Sequence, residues 1–238
     1  MLKVKVLPKA ADSRRVFITG AAGYLGSELI PVLLERGHRV RALVRPTSKA
    51  KLTGGCEVVS GDPLDANTYS NLVRPADTFI HLVGVPRPSP SKGELFRTVD
   101  LVAAREAIST AAELGIQHFI YLSVAHPAPV MKAYITVRSQ CEGLIRELSL
   151  NATILRPWYV LGPGHRWPLA LAPLYKLGEA LPFTRAGALR LGLVTLNQMI
   201  MALVQAVESP VEGIRVVEVP EIRAAHITLD RDAGRQTA

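Results

Sequence analysis

A doubly wound α/β fold built on a parallel sheet is predicted by three observations. Short apolar runs alternate with helical apolar patterns from residue 14 to residue 157, the signature of repeated βαβ units. The first run, Val16-Phe17-Ile18-Thr19, passes directly into Gly20-Ala21-Ala22-Gly23-Tyr24-Leu25-Gly26 and then an amphipathic stretch, so a glycine-rich turn joins a strand to a helix. The 238 residues are 48% hydrophobic and 20% charged, the balance of one large globular domain and not of a solvated tail.

The predicted strands are Arg15 to Thr19, Arg39 to Val44, Cys56 to Ser60, Asp77 to Val83, His118 to Ser123 and Ala152 to Arg156. The first helix carries Leu25, Leu29, Leu33 and Leu34 at helical spacing, and Gly37 is placed to end it as a left-handed cap. Further helices are expected from about Asp100 to Leu114, stopped by Gly115, and from about Met131 to Leu148. After Pro157 comes a Pro/Gly-rich stretch, Gly162-Pro163-Gly164-His165-Arg166-Trp167-Pro168, then an apolar helix carrying Leu169, Leu171, Leu174, Tyr175 and Leu177. A helix from Asn197 to Glu208 and a strand from Ile214 to Val219 would close the fold. The domain is therefore expected over residues 14–226, with a small lobe from about 157, an N-terminal arm over 1–13 and a frayed tail over 227–238.

The formal charge is 28 − 20 = +8, which favours an anionic partner. The basic residues are scattered and no interleaving of aromatic and basic residues appears, so a phosphorylated cofactor fits this charge better than nucleic acid does. Cys56 and Cys141 provide neither a disulfide framework nor a metal cluster, which makes the cytoplasm the expected compartment. Trp167 to Phe183 is the most membrane-like segment, but three prolines and Lys176, Gly178 and Glu179 interrupt it. Peripheral contact with a membrane stays open, and the expected state is a monomer or homodimer.

A strand that turns abruptly into a helix presents unpaired backbone N–H groups and the positive end of the helix dipole, which together bind a pyrophosphate. Gly20, Ala22, Gly23, Tyr24, Leu25 and Gly26 are the candidates for such a cradle. Together with Gly61-Asp62, the Tyr121-Leu122-Ser123 strand end, Tyr134 and the Leu155-Arg156-Pro157 step, this string resembles the short-chain dehydrogenase/reductase superfamily. More narrowly, it is similar to the NmrA-like and complex-I-subunit-like branch of NAD(P)-binding Rossmann proteins. The resemblance runs over roughly residues 14 to 220 and keeps the motifs in order.

The resemblance makes the end of the second strand a cofactor selector. Leu43-Val44-Arg45 places no acid there, and a guanidinium can bind a ribose 2′-phosphate bidentately, so NADP is expected over NAD. It also implies Asp62 as acceptor for the adenine amino group, Gly84 as the small residue beside the adenosine, and backbone groups near Pro157 and Val160 as holders of the carboxamide.

Hydride-transfer members combine a Ser, a Tyr and a Lys four residues beyond the Tyr. The Tyr exchanges a proton with the substrate oxygen, the Ser orients that oxygen, and the cation favours phenolate. Ser123, Tyr134 and Arg138 stand in this order, with Arg where Lys is expected. Arginine supplies charge but cannot shuttle a proton. His165, Arg166 and Trp167 are candidates for recognising an aromatic or anionic substrate. The expected function is NADPH-dependent reduction of a small apolar carbonyl or enone. Its alternatives are an NADP-sensing regulator, an assembly factor or subunit of a membrane complex, and a nucleotide-sugar epimerase.

Overall fold

The computed structural model describes residues 10, 12–48, 52, 54–163 and 182–225. The predicted arm lies mostly outside these residues. So do the predicted tail, the apolar helix after residue 168, and His165, Arg166 and Trp167.

Seven parallel strands form the central sheet in the order β3-β2-β1-β4-β5-β6-β9. They are β1 (Arg15–Thr19), β2 (Arg39–Val44), β3 (Glu57–Ser60), β4 (Thr78–His81), β5 (His118–Leu122), β6 (Ala152–Arg156) and β9 (Ile214–Glu218). This is the order of a Rossmann sheet, reversing direction between β1 and β4, where ligands bind at the carboxyl ends of the strands. Strands β7 (Tyr159–Leu161) and β8 (Leu193–Thr195) pair separately and were not expected from sequence. At three residues each they are too short to show a period.

Alternation along each strand divides the core in two. Val16, Ile18, Ile80, Ile120 and Leu155 face helices α1 (Tyr24–Glu35) and α7 (Leu196–Glu208). Phe17, Phe79, Phe119 and Ile154 face α2 (Ser70–Val73), α4 (Val102–Glu113) and α5 (Lys132–Glu147). Phe17, Phe79 and Phe119 lie in register across β1, β4 and β5, with ring centroids 5.1 and 5.4 Å apart. Short helices α3 (Gly93–Leu95), α6 (Pro182–Arg190) and α8 (Val219–Ala224) complete the described chain.

Two boundaries differ from the sequence reading in ways that shape the site. Strand β4 stops at His81 instead of Val83, because beyond it the backbone makes way for the Gly20 turn. The helix expected from Asp100 begins earlier: α3 runs into a π-helical turn, Phe96–Leu101, before α4. Asp100 lies inside that turn, fully buried. Such wide turns cluster at functional sites because they re-aim a side chain.

The ends of α1 and α7 are joined by Glu208, whose carboxylate accepts from Arg36 Nε at 2.7 Å and Nη2 at 2.6 Å and contacts His38 Nε2 at 3.2 Å. Burial pushes this carboxyl up, but the hydrogen bonds from His38 and Arg36 outweigh it and hold it below the ordinary value of 4.5. A depressed folded value stabilises the fold above the ordinary value, and that stability is lost as pH falls through the folded one. Glu208→Gln should therefore cost about 2 kcal/mol in urea unfolding at pH 7. The deficit relative to wild type should shrink as the pH is lowered below 4.

Candidate functional site

The glycine turn is built by close approach. Gly20 has φ +75°, and a Cβ there would stand 2.6 Å from the Leu82 carbonyl carbon and 2.8 Å from the Val83 nitrogen. At Gly26 a Cβ would stand 2.5 Å from the Ala21 carbonyl oxygen, so only glycine lets α1 pack this close to β1. The Gly23 N–H donates back to the Gly20 carbonyl at 2.9 Å, and Gly23 caps α1 with no side chain over the helix end. The amides of Tyr24 and Leu25 open the first turn of α1, where the helix supplies them no partner. Gly23 is exposed and Ala22 half-buried. This is a cradle that a Cβ would fill, facing solvent at the carboxyl end of β1, and its residues fit a dinucleotide pyrophosphate.

Arg45 follows β2 and is exposed, its carbonyl accepting the Ser48 N–H at 2.9 Å in a turn. Asp62 follows β3, whose exit is tied to β2 by Gly61 N–H to the Val44 carbonyl at 3.1 Å, so Arg45 and Asp62 flank neighbouring strand ends. One Asp62 oxygen accepts the Leu64 N–H at 3.0 Å, which orders the loop. Gly84 lies beyond β4, and a Cβ on it would sit 2.7 Å from Arg138 Nη2. The Pro157 carbonyl is taken by the Ala125 N–H at 2.9 Å, and Val160 lies in β7 against Val194.

The three candidate catalytic residues lie just past β5 and on α5 and are held in unequal ways. Ser123 is buried and its hydroxyl donates to Glu142 Oε1 at 2.7 Å, which holds the end of β5 against α5. Glu142 also takes Arg156 Nε at 2.9 Å and Nη2 at its other oxygen, and lies 3.4 Å from His126. Burial pushes its carboxyl up, and the hydrogen bonds from Arg156 and Ser123 bring it below its usual value.

Tyr134 is half-buried, packed on Phe96 with ring centroids 4.8 Å apart. Among the described residues its hydroxyl has no hydrogen-bond partner. Arg138 lies one turn on along α5, with the guanidinium carbon 5.0 Å from the Tyr134 ring centre. This arginine is buried. It donates to Asp100 Oδ1 at 2.6 Å, to the Leu122 carbonyl at 3.0 Å and to the Tyr121 hydroxyl at 3.3 Å. The other Asp100 oxygen accepts the Val85 N–H at 3.0 Å, just past Gly84.

Beneath this pair, Thr19, His81 and Tyr121 form a polar row two residues beyond the aromatic one. His81 Nδ1 lies 2.9 Å from Thr19 Oγ1, and its ring stacks on Tyr121 at 6.0 Å. Burial and the nearby Arg138 charge lower its imidazole to about 3, so it is neutral at physiological pH.

Asp100, Glu142 and His81 were not singled out from sequence. A signal for the first existed: Asp100, Ala104, Ala107 and Ala111 share the buried face of their helix, as Tyr134, Arg138, Cys141 and Ile145 do of α5. One acid and one base, each on an apolar stripe, read as a buried pair.

Residues 20–165 match a family described as NAD(P)H-binding. The chain belongs to that family. It is 30% identical over 217 residues to a ceramide reductase of Caulobacter vibrioides, a match covering 90% of this chain and 67% of that one. It is 30% identical over 115 residues to a 3 beta-hydroxysteroid dehydrogenase/isomerase of Mycobacterium tuberculosis, covering 46% and 31%. A 4-hydroxy-2-methyl-3-oxo-4-farnesyl-3,4-dihydroquinoline-1-oxide ketoreductase of Stigmatella aurantiaca matches at 24% over 170 residues, covering 62% and 51%. The chain thus spans from 31% to 67% of these relatives' length. The Bordetella bronchiseptica enzyme WbmH in complex with NAD+ superposes with a TM-score of 0.66 at 21% identity, covering 90% of this chain and 80% of that one. This nicotinamide-binding chain is a reductase/dehydrogenase-like member of the short-chain dehydrogenase/reductase superfamily with a Rossmann fold. No helix among its described residues is long and apolar enough to cross a membrane.

Gly20→Ala should abolish fluorescence-monitored binding of NADPH and NADH, because the new methyl strikes β4 as well as straining φ. Gly115→Ala is the control: φ is +65° there but nothing lies within 4 Å of the new Cβ. It should lose about 1–2 kcal/mol of stability and keep full nucleotide affinity.

Proposed function

We propose that the chain is an NADPH-dependent reductase of an apolar carbonyl or enone, with Tyr134 as the proton donor. One observation carries this: a half-buried tyrosine, whose hydroxyl makes no hydrogen bond among the described residues, stands beside a buried arginine at the carboxyl ends of the strands, on the edge of an apolar pocket. That pocket, of about 370 Å³, is lined by Pro90, Phe96, Pro129, Val130, Met131 and Tyr134, with Lys132 and Ala133. Its walls offer a substrate dispersion contact and few hydrogen bonds, which selects for an apolar body. The three relatives described above are named for ceramide, a hydroxysteroid and a farnesylated dihydroquinoline oxide, which agrees with such a substrate.

The cofactor, when bound, supplies the hydride. The cradle at Gly20–Gly26 holds its pyrophosphate on backbone amides. Arg45 receives the 2′-phosphate and Asp62, through its second oxygen, the adenine amino group. Gly84 leaves room beside the adenosine, and the backbone at Pro157 and Val160 borders the carboxamide end. Tyr134 holds its proton toward the substrate oxygen and delivers it as that oxygen gains charge. Arg138 supports the phenolate left behind and stays protonated, so it moves no proton itself. Ser123 supports the same oxygen only when its hydroxyl turns away from Glu142. The undescribed His165, Arg166 and Trp167 would complete substrate recognition.

A second reading rests on a specific contact. Asp100 neutralises Arg138 at 2.6 Å and Glu142 accepts the Ser123 hydroxyl's hydrogen bond, which suits a protein that binds NADP without turning it over.

Against a panel of apolar ketones and enones, Tyr134→Phe should cut NADPH oxidation at least about 100-fold while leaving NADPH affinity within about twofold. Tight NADPH binding with no oxidation across the panel decides for the non-catalytic reading. Arg45→Ala should weaken NADPH about 10-fold and NADH hardly at all, by the loss of one charge-assisted contact. An unchanged ratio of the two affinities removes Arg45 from the site.

A further inference from the structure

We propose that Asp100 is a positioning residue that sets both the place and the net charge of the Arg138 guanidinium facing Tyr134. The proposal rests on the reading of Tyr134 as proton donor.

Three observations support it. Asp100 is fully buried, and the Arg138 side chain is 4% exposed, so neither charge is relieved by water. The pair joins four parts of the site: the π-helical turn through Asp100, α5 through Arg138, the Gly84-Val85 exit through the Val85 N–H, and the end of β5 through Leu122 and Tyr121. The guanidinium so held stands 5.0 Å from the Tyr134 ring and 5.7 Å from that of Tyr121.

Among the described residues, the ionisable groups around the pair and the ring are Tyr121, Cys141, His81, Arg105, whose charge acts on Cys141, and, on the pocket wall, Lys132. Burial raises the Tyr121 phenol and the Cys141 thiol, and His81 is held neutral, so these three carry no charge near neutrality. Burial also raises the Asp100 carboxyl, while Arg138 pulls it down. A guanidinium that stays protonated at 2.6 Å keeps Asp100 a carboxylate at neutral pH. Tyr134 therefore faces a charge-balanced pair and not a bare cation. Removing the carboxylate exposes the ring to a net positive charge; removing the guanidinium takes away the cation nearest the ring and, at the alkaline pH where a phenol ionises, leaves the Asp100 carboxylate near it.

The test is ultraviolet titration of phenolate in the intact chain without substrate, taking the alkaline step that Tyr134→Phe removes as the signal of Tyr134. In Asp100→Asn, which keeps the shape, the step should move to lower pH by about one unit or more. In Arg138→Gln it should move to higher pH, and in the double variant it should return to within about half a unit of wild type. A structural pair alone would not move the step in opposite directions. Near-ultraviolet dichroism identifies which variants are folded. The proposal is overturned if the step stays put in the folded single variants, or if both move it the same way. Failure of both single variants to fold, with the double variant folded, assigns the pair to stability alone and also overturns it. Because no substrate is used, a failed reductase assay and a failed titration are separate results.

Discussion

The approach of the Gly20 backbone to the end of β4 is the contact on which the site depends. Strands β1 and β4 are bonded neighbours, and the sheet's connections diverge from that junction, so their carboxyl ends border an open crevice. For the chain to turn into α1 there, the Gly20 α-carbon must lie against the Leu82 carbonyl, where a side chain would overlap β4. Gly26 then brings α1 down onto the strand it has just left. With both in place, α1 starts at the carboxyl end of β1 with no side-chain cap from Gly23 over its first turn. A larger residue at either position would separate helix from sheet.

One face of the sheet serves two purposes at different heights. Phe17, Phe79 and Phe119 form a dry aromatic row under α4 and α5, while Thr19, His81 and Tyr121 continue the same columns as a polar row toward the strand ends. Above that row lies the Asp100–Arg138 pair. Burying two charges is costly, and an ion pair rarely returns more than an apolar packing would. Here the pair satisfies the Leu122 carbonyl, the Tyr121 hydroxyl and the Val85 N–H together, so its loss would leave several buried groups without partners. The Glu142 hub does similar work one turn along α5, joining Ser123 just past β5 to Arg156 on β6, which in turn reaches Glu218 on β9.

Much of the scaffold was legible because its signals are local. Strands β1, β2 and β6 occupy the predicted residues, since largely buried parallel strands read as short apolar runs. Helix α7 is one residue longer than predicted, its capping box made by Thr195 and Gln198. The π-helical turn was not legible, because no propensity marks the place where a wide turn replaces an ordinary one. Nor were β7 and β8, whose three residues each hold together only through partners 34 positions away in sequence. In the site, the glycine turn was legible because glycine is demanded by its own backbone angle and by its nearest strand.

What the sequence determined by itself is the βαβ order, the two-faced core and the presence of a glycine turn between β1 and α1. These follow from side-chain period and from residues that only one backbone conformation accepts. What only the tertiary structure decided is how the charges are paired. Arg138 read from sequence as a cation for Tyr134; the fold gives it a carboxylate from a residue 38 positions earlier. Ser123 read as a free hydroxyl, and the fold aims it at Glu142, 19 positions later. Pairing of this kind is set by which helices lie side by side on the sheet: a local pattern marks a charge as buried, and only the packing of the helices chooses its partner.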